Sequence, residues 1–180
     1  MRTRIVCLGN ELVCDDGVGI RIGRALQELE LPEHVAVVMA ADVGLDLIDA
    51  VASSDRLVVV DATRTGRPPG TIHVMSEGAV SGLAQTPCCC HAVGLPELLR
   101  LAAHLNPERH APEVVLIGVE AEVLDQFGTA LSPVVRQALP EAAARVLAAV
   151  GAREETVARG KLKAAALADW EPTALEAYGG

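Results

Sequence analysis

Three stretches of the chain carry acids or an imidazole where such groups can do chemistry. In Gly9-Asn10-Glu11-Leu12-Val13-Cys14-Asp15-Asp16-Gly17-Val18-Gly19, two adjacent aspartates precede a Gly-x-Gly. Asp15 alone reads equally well as a helix cap that complements the helix dipole. A pair followed by Gly-x-Gly exceeds what capping needs, and Gly9 and Gly17 let a backbone come close to something. Asp61 follows directly on Val58-Val59-Val60. A carboxylate at the end of a central strand is poorly solvated and costly unless it is paired or bound to a metal. His91 stands between Pro87-Cys88-Cys89-Cys90 and the apolar stretch Val93–Leu105, at a strand-to-helix loop on the side that carries the two acids. His34, His73, His104 and His110 fall in apparent surface turns or helix faces and are set aside. Asp42, in Ala41-Asp42-Val43-Gly44, and Glu120, closing Ile117-Gly118-Val119-Glu120, are secondary candidates that read equally as helix-start residues.

Asp16, Asp61 and His91 form a mixed O,O,N donor set. Such a set suits a borderline first-row divalent metal better than calcium, and three ligands leave coordination positions open. Nickel and zinc both fit. The tandem Cys88, Cys89 and Cys90 do not make a structural zinc site, because there is no second Cys-x-x-Cys pair. Neither a Ser–His–Asp arrangement nor a His-Glu-x-x-His helix is present, which sets aside ordinary serine and zincin chemistry.

These residues need a scaffold, and the apolar periodicity predicts one. Arg4–Leu8, Val35–Ala40, Leu57–Val60 and Val114–Val119 read as buried strands, the third ending at Asp61. Between them, Gly17–Leu29, Leu45–Ala52 and Leu95–Leu105 carry apolar residues at helical spacing. Thr71–Met75 is expected to be an antiparallel edge strand, because the turn Arg64–Gly70 leaves no room for a crossover helix. Ser132-Pro133 marks a helix start leading into Val134–Val150, which Pro140 is expected to kink or split. The alternation implies a three-layer α/β sandwich: a mostly parallel twisted sheet of about five strands with helices on both faces. Residues 1–150 form the single α/β domain, and 151–180 form a C-terminal extension, partly helical or disordered. In such folds a ligand lies beyond the carboxyl ends of the strands.

Composition narrows the function. With three aromatic residues in 180 and a formal net charge of −9, the chain lacks the basic surface and stacking rings of a nucleic-acid binder. No run approaches the roughly 20 apolar residues of a membrane span. The apolar stretch before Gly9 is too short for the core of a signal peptide, so a cytoplasmic location is expected. Five cysteines, three of them consecutive, fit free thiols in a reducing compartment.

Taken together, these landmarks resemble the hydrogenase maturation endopeptidases, which trim the C-terminus of the large-subunit precursor of nickel–iron hydrogenase. The resemblance rests on Gly9–Gly19, on Val60-Asp61-Ala62, and on His91 ahead of Gly94-Leu95-Pro96-Glu97-Leu98-Leu99. It also rests on Gly118-Val119-Glu120 and on Leu131-Ser132-Pro133-Val134-Val135, all in order over about residues 4–150. It implies that Asp16, Asp61 and His91 contact nickel carried by the precursor, where other divalent ions can substitute, and that Asp16 or Asp42 activates the attacking water. The chain departs from the family pattern at Asp42-Val43-Gly44, where many relatives have a glycine-threonine stretch, at Cys88–Cys90, and in the extension after Gly151. Two alternatives remain at this point: a receiver-like signalling domain with a magnesium-binding acidic pocket, and an inactive relative acting as a binding module. The missing lysine after the last strand counts against the first.

Overall fold

The computed structural model describes residues 1–76, 94–108 and 112–152. The strands are β1 (Thr3–Leu8), β2 (Val35–Ala40), β3 (Arg56–Thr63), β4 (Ile72–Ser76) and β5 (Glu113–Glu120). The helices are α1 (Val18–Gln27), α2 (Ile48–Ala52), α3 (Leu95–Leu105) and α4 (Pro133–Ala149). Short 3-10 turns at Cys14–Gly17 and Leu45–Leu47 lead into α1 and α2.

The sheet order is β2-β1-β3-β5-β4. The first four strands in this order are mutually parallel, and β4 pairs antiparallel with β5 at the edge. The expected architecture is therefore the observed one. Side chains alternate between two apolar layers. Ile5, Cys7, Val58, Val60, Ile117 and Val119 pack with α1 and α4, while Val6, Leu8, Leu57, Val59 and Leu116 pack with α2 and α3. Burial on both faces explains why these strands are runs of β-branched and aliphatic residues rather than alternations. A receiver-like domain has all-parallel strands in the order 2-1-3-4-5. The antiparallel β4 outside β5 departs from that plan.

Two boundaries differ from the sequence expectation. β3 does not end at Asp61 but continues through Ala62 and Thr63, because these residues pair with Val119 and Glu120 of β5. Helix α4 runs from Pro133 to Ala149 without being split at Pro140. Pro140 and Arg136 are both exposed, so water can reach the Arg136 carbonyl that loses its helical donor. At the start of this helix the expected cap is present: Ser132 Oγ accepts the Val135 N–H at 3.4 Å. The extension beyond Ala152 lies outside the described residues.

Candidate active site at the carboxyl ends of β1 and β3

β1 connects outward to β2 on one side and is flanked by β3 on the other, so the sheet reverses direction between β1 and β3. In open α/β sheets the crevice at such a switch point is where ligands bind. Asp16 follows β1, and Asp61 lies near the end of β3.

Asp16 sits in the 3-10 turn that packs against β3. Its side chain is buried, and Oδ2 accepts the Asn10 N–H at 3.1 Å. Asp61 is fully buried on the α2/α3 side of the sheet, where Oδ1 accepts the Ala62 N–H at 2.8 Å. Its register partner is Gly118, so the neighbouring strand places no side chain beside it. The glycines of the motif seat the turn that carries Asp16 and the start of α1 directly on the ends of β1 and β3. A Cβ on Gly19 would lie 2.2 Å from the Leu8 carbonyl oxygen and 2.7 Å from that of Val60. The first turn of α1 thus rests on the residue preceding Asp61. A Cβ on Gly9, at φ +141°, would meet the Asp16 carbonyl oxygen at 2.0 Å, and one on Gly17 would come within 3.1 Å of Glu11 Cα. The close approach foreseen at Gly9 and Gly17 is thus made by the chain itself.

Asp42 is exposed in the loop after β2 and accepts the Val43 N–H on Oδ1 at 2.7 Å. This loop reaches the start of α3, where a Cβ on Gly94 would lie 3.5 Å from the Val43 carbonyl oxygen. His91 and Cys88, Cys89 and Cys90 lie outside the described residues. Among the described residues, no three His, Cys, Asp or Glu groups converge on a metal position.

Asp15 does something other than cap α1. Its carboxylate is fully buried and accepts three backbone N–H bonds from far along the chain. Oδ2 takes Glu122 and Val123, each at 2.9 Å, and Oδ1 takes Ser132 at 2.6 Å. The loop between β5 and α4 is thereby fastened to the motif. Further ties come from Cys14 N–H to the Gly128 carbonyl (2.7 Å), Gly128 N–H to the Leu12 carbonyl (2.9 Å), and Arg21 to the Thr129 carbonyl (2.5 Å). Arg24 donates to Glu11 Oε2 at 2.5 Å, and Glu11 Oε1 lies 3.9 Å from Arg21. Burial lowers the Arg21 pKa, Glu11 opposes that shift and Arg24 adds to it. Cys14 takes the strained φ of +40° where the two segments meet.

Glu120 is buried at the end of β5 and is not a helix-start residue. Oε1 accepts the N–H groups of Thr65 (2.7 Å) and Gly66 (2.8 Å). Oε2 accepts the hydroxyls of Thr63 (3.2 Å) and Thr65 (2.9 Å) and faces His73 Nε2 at 3.1 Å. His73, set aside as a surface histidine, is on β4 and belongs to this network. Burial alone pushes the Glu120 pKa up, but the bonds from Thr65, Gly66 and His73 together outweigh it and hold the pKa below the usual value. A depressed folded pKa means stability that is present above the unfolded carboxylate pKa and lost as pH falls through the folded one. Glu120→Gln keeps the shape and removes the charge. It is expected to unfold about 1–2 kcal/mol more easily than the unaltered chain at pH 7. This gap should narrow as urea titrations move from pH 6 to pH 3, and a gap independent of pH would refute the assignment.

Burial pushes the Cys7 thiol up to about 12, so it is a packed, inert group at neutral pH. Cys7 and Cys14 are free thiols. No helix among the described residues is long and apolar enough to cross a membrane.

Comparison with known proteins bears on the same region. The family described as hydrogenase maturation protease matches residues 20–149. The hydrogenase expression/formation protein HupD of Thiocapsa roseopersicina is 34% identical over 77% of this chain. The match spans 62% of that protein's length, less than two thirds. The hydrogenase 2 maturation protease of Escherichia coli (strain K12) is 30% identical over 83% of this chain and 91% of its own length. Among solved structures, the hydrogenase maturating endopeptidase HybD from E. coli superposes with a TM-score of 0.75 at 28% identity, covering 84% of this chain and 93% of that one. With its five-stranded sheet, its match to the family over residues 20–149 and these relatives, the chain belongs to the hydrogenase maturation protease family.

Proposed function

We propose that the chain is an endopeptidase that removes a C-terminal peptide from the nickel-loaded large-subunit precursor of a nickel–iron hydrogenase, working in the cytoplasm. The observation that supports the reading is the placement of two buried acids, Asp16 after β1 and Asp61 near the end of β3, at the switch point between these strands, within a chain of this family. The nickel is cargo of the substrate. Asp16 and Asp61 offer oxygen ligands, and His91, three residues ahead of Gly94, offers an imidazole. Together they suit a borderline divalent ion with open positions. Other divalent ions can take the same place. Asp61 is removed from water, and there the attraction of a carboxylate for a cation is least screened.

Engaging the metal fixes the scissile peptide beside the acids, and such positioning can be worth several kcal/mol of the barrier. Asp16, or Asp42 in the exposed loop after β2, then takes a proton from the attacking water. On this reading the catalytic groups are aspartates, as in an aspartyl protease, and they also engage the metal that the substrate carries.

The test is direct. Incubated with its purified precursor, the chain should shorten the nickel-loaded form by one C-terminal peptide, read by intact-protein mass spectrometry. The nickel-free form should stay whole. A loaded precursor that is bound but never cut would make the chain a binding module, and equal cutting of both forms would remove the metal from the recognition step.

A further inference from the structure

The loops at the carboxyl end of the sheet display apolar side chains that the core does not use. Phe127 is 94% exposed and Leu12 is 58% exposed. Phe127 is the only aromatic side chain among the described residues. Both are carried on backbone that is held rather than loose. Leu12 N–H donates to Asn10 Oδ1 at 3.0 Å, and the Leu12 carbonyl accepts the Gly128 N–H. The loop that bears Phe127 is fastened at Glu122, Val123 and Ser132 by Asp15, at Gly128 by Cys14, and at Thr129 by Arg21. Exposed apolar groups on a preorganised backbone lose little freedom when they bind, which favours affinity. Aromatic side chains, phenylalanine among them, are enriched in protein interfaces relative to the rest of the surface.

Their position selects the occupant. The Asn10 N–H that lies two residues before Leu12 bonds Asp16, and Asp15, adjacent to Asp16, holds the loop of Phe127. Leu12 and Phe127 are thus carried on backbone tied directly to the turn that holds Asp16. We infer that Leu12 and Phe127 form an apolar docking edge for side chains of the polypeptide substrate next to the bond that is cut, and so act as specificity-determining residues. This rests on the peptidase reading above.

Because Phe127 lies outside the core, Phe127→Ala should leave the melting temperature unchanged, so a kinetic effect is not a folding effect. With purified nickel-loaded precursor, Phe127→Ala should raise KM about tenfold or more, as expected for loss of an interface anchor. Leu12→Ala should raise it by a smaller factor, kcat should change less than twofold in both, and Phe127→Trp should restore KM. KM reports binding when dissociation outpaces chemistry, so the same variants should show matching increases in dissociation constant when titrated with the precursor. Leu105 is the control. It is also 58% exposed but sits at the far end of α3, and Leu105→Ala should leave KM unchanged.

An unchanged KM in Phe127→Ala, a fall confined to kcat, or an equal effect of Leu105→Ala overturns the docking edge while leaving the peptidase reading in place. A concentration-dependent dimer that Phe127→Ala dissolves would assign the patch to a second copy of the chain instead. Failure of the unaltered chain to cut the loaded precursor defeats the peptidase reading itself, and the docking edge with it.

Discussion

Asp15→Ala is expected to lower the unfolding free energy by about 3–5 kcal/mol, because it strips the acceptor from three backbone N–H groups at once. Water can reach the Glu122 and Val123 N–H groups in part, since Glu122 is exposed and Val123 half-buried. It cannot easily reach Ser132, which is buried at the start of α4. For a domain of this size the loss corresponds to about 6–20 °C in melting temperature. Asp15→Asn provides the finer test. Its amide oxygen can keep the bonds to Glu122 and Val123 while its NH2 faces the Ser132 N–H, two donors in opposition, so about half of the loss is expected. Urea titrations followed by circular dichroism measure both. An Asp15→Ala midpoint equal to that of the unaltered chain would show that the clamp is not what fastens this loop.

Asp15 also marks where sequence reading stopped. Residues 9–19 are legible as a site because two acids followed by Gly-x-Gly between a strand and a helix is an unusual local pattern. Which acid does what is not local. The partners of Asp15 lie 107 to 117 residues away, and nothing in its neighbours distinguishes it from Asp16. The glycines show the same division. Their need for close approach is visible in the motif, but that the approaching atoms are the carbonyls of Leu8, Val60 and Asp16 depends on how α1 settles on the sheet.

The strands were the most readable part, because burial on both faces demands apolar runs, and the turn Arg64–Gly70 is too short for anything but an antiparallel return. The end of β3 was not readable. Asp61 and Ala62 have little strand character of their own, and β3 runs on through them to Thr63 because Gly118–Glu120 pair with these residues. His73 was missed for a related reason: it meets Glu120 only through the β4–β5 register, in which its own partner is Gly118. No local signal marks such a pair.

Asp61→Asn should lower kcat/KM for the nickel-loaded precursor by about 10²–10³-fold, the scale found when one preorganised charge-stabilising group is removed from a reacting site. The amide keeps the volume of the side chain and, through its oxygen, the bond from the Ala62 N–H, so the fully buried position remains filled and the fold should stand. What it loses is the negative charge a divalent ion would neutralise. Asp16→Ala and His91→Ala should each abolish cleavage, since with either gone a set of three donors falls to two. Asp42 separates the two remaining possibilities for the proton acceptor. Asp42 is exposed whereas Asp16 and Asp61 are buried, and Asp42→Asn should leave precursor affinity intact. If Asp42 takes the proton from water, its loss should therefore fall on kcat alone, whereas Asp16→Ala should impair affinity and kcat together whichever group is the base. Single-turnover cleavage beside precursor titrations resolves the two. Normal trimming of a nickel-loaded precursor by Asp61→Asn, with a melting curve matching the unaltered chain, would remove the buried carboxylate from the mechanism and return the crevice between β1 and β3 to a purely structural role.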